Sequence, residues 1–466
     1  MLRRPRITAL LSVALAGALS YGAFAAPAPD ERAAPQVPDP YFPADGNAGY
    51  DVQHYDIRDR YRMGSRFLSG VTTVRMVPGE QLSTFSLDLL LTVDAVRVDG
   101  VAAEFEKSNN HELVVTPAEP LAEGEPVDVR VRYHGYPDRL AWGGERNWLA
   151  NDREVVTMNE PHMAAWWFPS NDHPSDKARF DIRITTAKGR EVISNGVRVG
   201  RTVKGGLATT HWRMTHPMTT YLAYFAAGDF IIEKGRARGL RYYNAVSKQL
   251  GERAERQGLR MLRRSARITA WLEDELGDYP FATTGGLITA LSPGFALENQ
   301  TRPTYPSFPS VRLLVHELAH QWFGDSVAVQ RWQDIWLNEG FATYMEVRYR
   351  EAQGGQTTKR WLRNAYESSG SWLWNIEIAD PGPHRIFDPA VYQRGGMTLA
   401  ALRNVIGGQD FRRLLRRWVD VHGGGNATSE EFEALAETVS GEDLGDFFHA
   451  WLRDDQAPPR TADYGL

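Results

Sequence analysis

The chain has 466 residues, 53 Lys and Arg against 58 Asp and Glu, and no cysteine. The composition is globular, and the missing cysteine excludes disulfide scaffolds, thiolate zinc sites, iron–sulfur clusters and thiol catalysis. A bound metal has to sit on His, Asp or Glu. The formal net charge of −5 offers no general attraction to nucleic acid or anionic membrane.

Residues 1–25 carry Arg3, Arg4 and Arg6, an apolar stretch from Ile7 to Ala18, and the small-residue site Ala23-Phe24-Ala25. That order is a secretory signal peptide, which predicts a secreted or periplasmic protein. Cleavage after Ala25 leaves 441 residues and removes three arginines, taking the formal charge from −5 to −8. The apolar run is short for a membrane span and no later run is longer, so no stable membrane insertion is expected after cleavage. Residues 26–44, rich in Ala, Pro and Asp, read as a flexible linker.

Residues 45–235 show short alternating runs, Val127 to Tyr133 and Phe180 to Ile184 among them. Asp99-Gly100, Asn195-Gly196 and Gly205-Gly206 punctuate them, and the pattern predicts an antiparallel β domain. Residues 236–466 turn helical. Leu259, Leu262, Ala266, Thr269, Leu272 and Leu276 recur at helical spacing up to Gly277. Further helices are expected at about 310–323, 334–352, 394–406, 409–421 and 429–438, with a β stretch over Gly286–Leu291. The fold class is therefore α+β, with the β domain first.

The pentad His316-Glu317-Leu318-Ala319-His320 carries the chemistry. On a helix the two imidazoles lie one turn apart on one face, so both reach a single ion. Glu317 is turned away from them, which sets its carboxylate beside the ion. Glu339 follows after eighteen intervening residues, on the next helical segment. A turn at Gly324 and an antiparallel second helix bring it back as the third ligand. Two His and one Glu leave a fourth position open, the layout of a catalytic site holding one zinc ion per chain. Glu317 is then placed as general base for hydrolysis of an amide-type bond. The other histidines, His162, His173 and His384 among them, read as surface or satisfied core groups. Trp322, Trp332 and Trp336 read as core and wall packing.

These residues resemble the gluzincin zinc aminopeptidases, the family that includes alanyl aminopeptidase. The zinc signature matches, and Gly294-Phe-Ala-Leu-Glu-Asn299 is similar to the family's exopeptidase motif. Val391-Tyr-Gln-Arg-Gly-Gly-Met-Thr-Leu399 is similar to the segment carrying its catalytic tyrosine. Thr157-Met-Asn-Glu160 and Trp167-Phe-Pro-Ser-Asn-Asp172 are similar to the segment whose acid or amide enters the active site. The resemblance implies a thermolysin-like catalytic domain over 236–466. It implies that Glu298, assisted by Glu160, binds the free α-ammonium of a peptide, and that Tyr392 donates to the oxyanion. It also implies that a strand around Gly294–Leu297, Ala296 included, pairs with the substrate backbone.

Leu297 stands where the family usually has Met, Asp325 where it has Asn, and Ser170 where it often has Cys. The chain ends soon after the catalytic domain, without the helical C-terminal domain of many relatives, so a more open cleft is expected. The implied partners are peptides with a free N-terminus, and the protein is expected to act as a monomer. A zinc endopeptidase uses the same triad, and a peptide-binding pseudoenzyme or an epoxide hydrolase are further alternatives. Glu298 and Glu160 separate the first of these, because an endopeptidase has no ammonium to bind.

Overall fold

The computed structural model describes residues 38–466, so the expected signal peptide and the expected linker as far as residue 37 lie outside the described residues. Side chains of a strand alternate between faces, and Val127–Gly135 buries Val127, Val129, Val131 and Tyr133 while the residues between them face outward. It lies within an eight-stranded sheet. In spatial order the strands are Val197–Lys204, Leu207–Met218, Ala178–Ala187, Tyr50–Arg62, Phe67–Pro78, Val127–Gly135, Thr92–Val98 and Val101–Ala102. Asp99 and Gly100, with φ of 46° and 81°, form one hairpin turn. Gly205 and Gly206, with 57° and 80°, form another.

The pairing is antiparallel except between Tyr50–Arg62 and Ala178–Ala187, which run parallel from His54↔Arg179 to Arg60↔Thr185. The expected antiparallel domain thus has one parallel seam at its centre. A three-stranded sheet (Phe85–Asp88, Glu112–Thr116, Glu104–Ser108) and a four-stranded one (Glu191–Ser194, Phe225–Gly228, Glu154–Thr157, Trp148–Ala150) complete this half. Tyr55, Ile57, Trp167, Phe168, Phe180 and Phe225 fill the core they share.

Two expectations shift. The linker expected to reach residue 44 is anchored from Asp39 onward. Asp39 is buried and accepts from Trp332 N at 2.8 Å, and the Phe42 ring packs edge-on against His162 at 4.7 Å. The boundary expected at 235/236 falls inside the strand Phe230–Ala237, which pairs with Leu240–Ser247 through a turn at Arg238 and Gly239. That hairpin joins Thr283–Ile288 and Thr304–Tyr305 in parallel, so the sheet of the second half begins at Phe230.

The longer helices are α1 Glu252–Leu262, α2 Ser265–Leu276, α3 Val311–Ala319, α4 Trp336–Ala352, α5 Thr358–Ser368, α6 Pro389–Ile406, α7 Gly408–His422 and α8 Ser429–Ser440. The single helix expected up to Gly277 is two, because hydrogen bonding tightens at Arg264, whose N–H donates to Met261 O at 2.9 Å. Helix α5 falls where no helix was expected. Among the described residues, no helix is long and apolar enough to cross a membrane.

Helices α4 and α6 cross at a pair of glycines. A Cβ on Gly395 would lie 2.8 Å from Gly340 Cα, and one on Gly340 would lie 2.9 Å from Gly395 C. Arg394, fully buried beside this crossing, donates to Trp451 O at 2.7 Å, Ile376 O at 2.8 Å and Asp454 O at 2.7 Å. Gly395→Ala should therefore force the helices apart and lower stability by about 1–3 kcal/mol, as overpacking of a closed core does. Urea unfolding reads this directly, and a variant as stable as the parent would contradict the close crossing.

Candidate active site

Helix α3 starts at Ser310, whose side chain accepts from Leu313 N at 3.1 Å, and its regular hydrogen bonding ends at Ala319. Past His320 the chain turns at Gly324, whose φ of 118° suits glycine. A Cβ there would also press on Asn338 at 3.3 Å and His320 Nδ1 at 3.4 Å. Phe323 then stacks on Phe341 at 4.3 Å, and α4 returns along α3. The direction follows from the contacts, since Arg312 and His316 meet Glu346 while His320 meets Glu339. The helices are antiparallel.

His316 Nε2 and His320 Nε2 lie 3.1 Å and 3.5 Å from the same Glu339 Oε2. A tetrahedral zinc with ligand bonds of about 2.0–2.1 Å holds its ligand atoms about 3.3 Å apart, so the three fit that ion. The opposite ring nitrogens are both occupied. His316 Nδ1 faces Glu346 Oε1 at 2.9 Å, and His320 Nδ1 faces Phe323 O at 3.0 Å. Donating from Nδ1 leaves both Nε2 lone pairs free for the ion. Burial alone would lower the His320 pKa, but Glu339 and Glu298 beside it outweigh burial and raise it to about 9. Burial would raise Glu339, yet His320 and His316 pull it down to about 2. The site draws positive charge to itself, whether as protons or as a metal ion.

All eight residues singled out in the sequence line one cleft of about 640 Å³: Glu160, Ala296, Glu298, His316, Glu317, His320, Glu339 and Tyr392. One oxygen each of Glu298 and Glu317 and one nitrogen of His320 lie within 4.8 Å of one another. Burial raises Glu317 to about 8; the two imidazoles hold it back, while Glu298 and Glu339 push it further. Glu160 is raised well above the usual carboxylate range by burial and then by Glu298, Glu339 and Glu317, and its Oε1 has no hydrogen-bond partner. Burial, with Glu339 and Glu160 nearby, keeps the Tyr392 hydroxyl protonated. Its ring stacks on His316, with centroids 6.0 Å apart. Asp388 caps α6 by accepting from Ala390 N at 2.9 Å, which places Tyr392 in the first turn.

The strand expected at Gly294–Leu297 is instead a loop that joins the sheet at Leu297, by reciprocal hydrogen bonds with Thr304 of 2.9 and 2.8 Å. Gly294, with φ of 89°, turns the chain away from extended geometry just before it. Gln321 ties this loop to the metal helix, donating to Glu298 O at 2.8 Å and accepting from Thr301 N at 2.7 Å. Tyr221 donates to Glu298 Oε1 at 3.1 Å. Neither contact is local in sequence, and neither residue was among those expected. Glu346 was also missed, although it lies two helical turns beyond Glu339 on the same face, a signal the spacing does carry.

Comparison with known proteins agrees with this geometry. Residues 284–451 match the peptidase family M1 domain, and residues 52–222 match the peptidase M1 N-terminal domain. Aminopeptidase N of Lactococcus lactis subsp. lactis is 29% identical over 417 residues, covering 79% of this chain and 46% of that protein. Aminopeptidase M1-D of Oryza sativa subsp. japonica is 27% identical over 453 residues, covering 87% of this chain and 50% of that protein. The chain thus spans about half the length of these curated relatives. The crystal structure of an M1 zinc metallopeptidase mutant from Deinococcus radiodurans, bound to the substrate Tyr-Ser-Ala, superposes with a TM-score of 0.82 at 29% identity. That match covers 91% of this chain and 99% of the other. A two-domain M1 zinc metallopeptidase bound to L-arginine gives a TM-score of 0.83 over the same shares.

Glu346 holds the tautomer of His316, so Glu346→Gln should weaken zinc binding by about 10–100-fold. Competition against a chromophoric chelator measures it. Unchanged affinity would show that the His316–Glu346 contact does not tune the metal ligand.

Proposed function

The chain belongs to the M1 family of zinc metallopeptidases, and on that footing we propose that it is an exported aminopeptidase removing single residues from the free N-terminus of peptides. His316, His320 and Glu339 would hold the zinc. A zinc ion there supplies Lewis acidity, polarising the scissile carbonyl and acidifying water. The rest of the reaction belongs to the chain's own side chains. Glu317 takes a proton from the attacking water and passes it to the departing amine. Tyr392 keeps its proton and donates a hydrogen bond to the developing oxyanion.

The observation that carries the exopeptidase reading is a pair of carboxylates on the cleft wall, one buried and the other half-buried with one oxygen enclosed. Glu298 is 3% exposed and Glu160 Oε1 has no partner, and burying such groups is costly without a cation beside them. A peptide's α-ammonium supplies that cation one residue away from the scissile carbonyl, fixing the register of cleavage. An endopeptidase substrate would bring no such cation to the pair. The Deinococcus enzyme's Tyr-Ser-Ala substrate supports a short peptide with a free amine as the ligand here. The loop at Ala296, on the cleft wall, is available to the substrate backbone.

Free aminoacyl chromogenic amides should be hydrolysed, and their N-acetylated counterparts should not. Chelator and Glu317→Gln should each abolish the activity, and Tyr392→Phe should lower kcat by about 10²–10³ with little change in KM, as loss of an oxyanion donor does. Activity surviving in Glu317→Gln would contradict the assigned base, and equal hydrolysis of blocked amides would favour the endopeptidase. For export, intact mass of the protein recovered outside the cytoplasm should place its first residue at Ala26. A form retaining Met1 would contradict cleavage.

A further inference from the structure

A second enclosed group of titratable side chains lies in the N-terminal half, where the antiparallel pair Asp88↔Glu112 brings two carboxylates side by side. His111 precedes Glu112, and its Nδ1 is 3.6 Å from Asp88 Oδ1 and 3.4 Å from Glu112 Oε1. One ligand atom from each of the three residues lies within 4.8 Å of the other two. Asp88 and His111 are 0% and 1% exposed.

Asp88 uses one oxygen only. Its Oδ2 accepts from Asp172 N at 2.7 Å and Gly46 N at 3.1 Å, whereas the fully enclosed Oδ1, aimed at His111 and Glu112, has no hydrogen-bond partner. Glu112 Oε2 is likewise enclosed and unpartnered. The His111 ring is fixed from two directions. It stacks on Trp142 with centroids 4.3 Å apart and planes 8° from parallel, and its Nε2 faces Asp45 Oδ1 at 3.6 Å. Nδ1 is the ring nitrogen turned towards both Glu112 and Asp88, and in the Nε2–H tautomer its lone pair is the one available to an ion.

Charge balance points the same way. Asp45, Asp88, Glu112, Glu145 and Asp172 gather around His111 and His162, and His162 is taken by Asp45 Oδ2 at 2.6 Å and Glu145 Oε2 at 3.2 Å. Lys107 is the nearby ammonium, and it donates to the backbone oxygen of His111 at 3.3 Å. Two carboxylates and a neutral imidazole are balanced by one divalent ion, and that donor mixture suits a first-row transition metal.

We propose that Asp88, His111 and Glu112 form a second metal site, taking a divalent first-row transition ion through Asp88 Oδ1, His111 Nδ1 and a Glu112 oxygen. The observed separations of 3.4 and 3.6 Å are close to the spacing of about 3.3 Å around a tetrahedral zinc. The site is structural. It locks the pairing of Phe85–Asp88 with Glu112–Thr116 and, through Asp45 and Gly46, the segment that leads into the first strand.

Zinc content of the full chain, by mass spectrometry after gel filtration from a zinc buffer, tests this. The parent should carry two ions per chain. His320→Ala should keep one, held in the N-terminal half, and Asp88→Asn and His111→Gln should each also keep one, held in the cleft. Zinc should raise the melting temperature of His320→Ala and leave the other two less affected than the parent. A parent with a single ion, a His320→Ala protein with none, or two ions retained in Asp88→Asn would each overturn the proposal. If Asp88→Asn fails to fold, the counts for the parent and His320→Ala still decide it.

Discussion

Glu298, Glu317 and Glu339 are buried and Glu160 half-buried around one cleft, and nearly everything else about the site follows from the positive charge they demand. A buried carboxylate without a partner costs several kcal/mol, so each has to be neutralised by a proton, a metal or a ligand. Glu339 is answered by the two imidazoles and the ion they would share. Glu317 is held part-way, raised by burial and restrained by His316 and His320. Glu298 and Glu160 are, on the proposed function, left for the substrate. On the proposed function, one electrostatic environment divides into a metal side and an ammonium side, and the distance between them would set where a peptide is cut.

Holding like charges together requires a frame that cannot relax. The closeness of Gly340 and Gly395 presses α4 and α6 together, so Glu339 and Tyr392 come from helices with no room to slide. Arg394 pins α6 from behind by donating to main-chain carbonyls. Gln321, next to a metal ligand, fastens the Glu298 loop at two points, and Tyr221 reaches across from the N-terminal half to orient the Glu298 carboxylate. The β half is therefore more than a support for the catalytic half. It supplies Glu160 and the hydroxyl that positions Glu298.

What was legible in the sequence was local. A four-residue spacing is enough to put His316 and His320 on one face, and alternation is enough to identify Val127–Gly135 as half-buried. Features made by distant contacts were not legible. Helix α5 fully buries only Thr358 and Leu362, so its apolar signal is thin. The anchoring of Asp39 depends on Trp332, far along the chain, and a linker-like composition gives no hint of it. The strand boundary at Phe230 is set by a hairpin with Leu240–Ser247 rather than by any break in composition. The roles of Gln321 and Tyr221 appear only once the Glu298 loop is folded against them.

The central claim is that Glu298 and Glu160 recognise a substrate ammonium rather than merely shaping the cleft. The most direct measurement is kcat/KM on a matched pair of free and N-acetylated peptides, for the parent and for Glu298→Gln and Glu160→Gln. The account predicts that the variants lose most of their activity on the free amine while activity on the blocked peptide stays at its low level, so discrimination between the two collapses. An equal proportional loss on both peptides would contradict it.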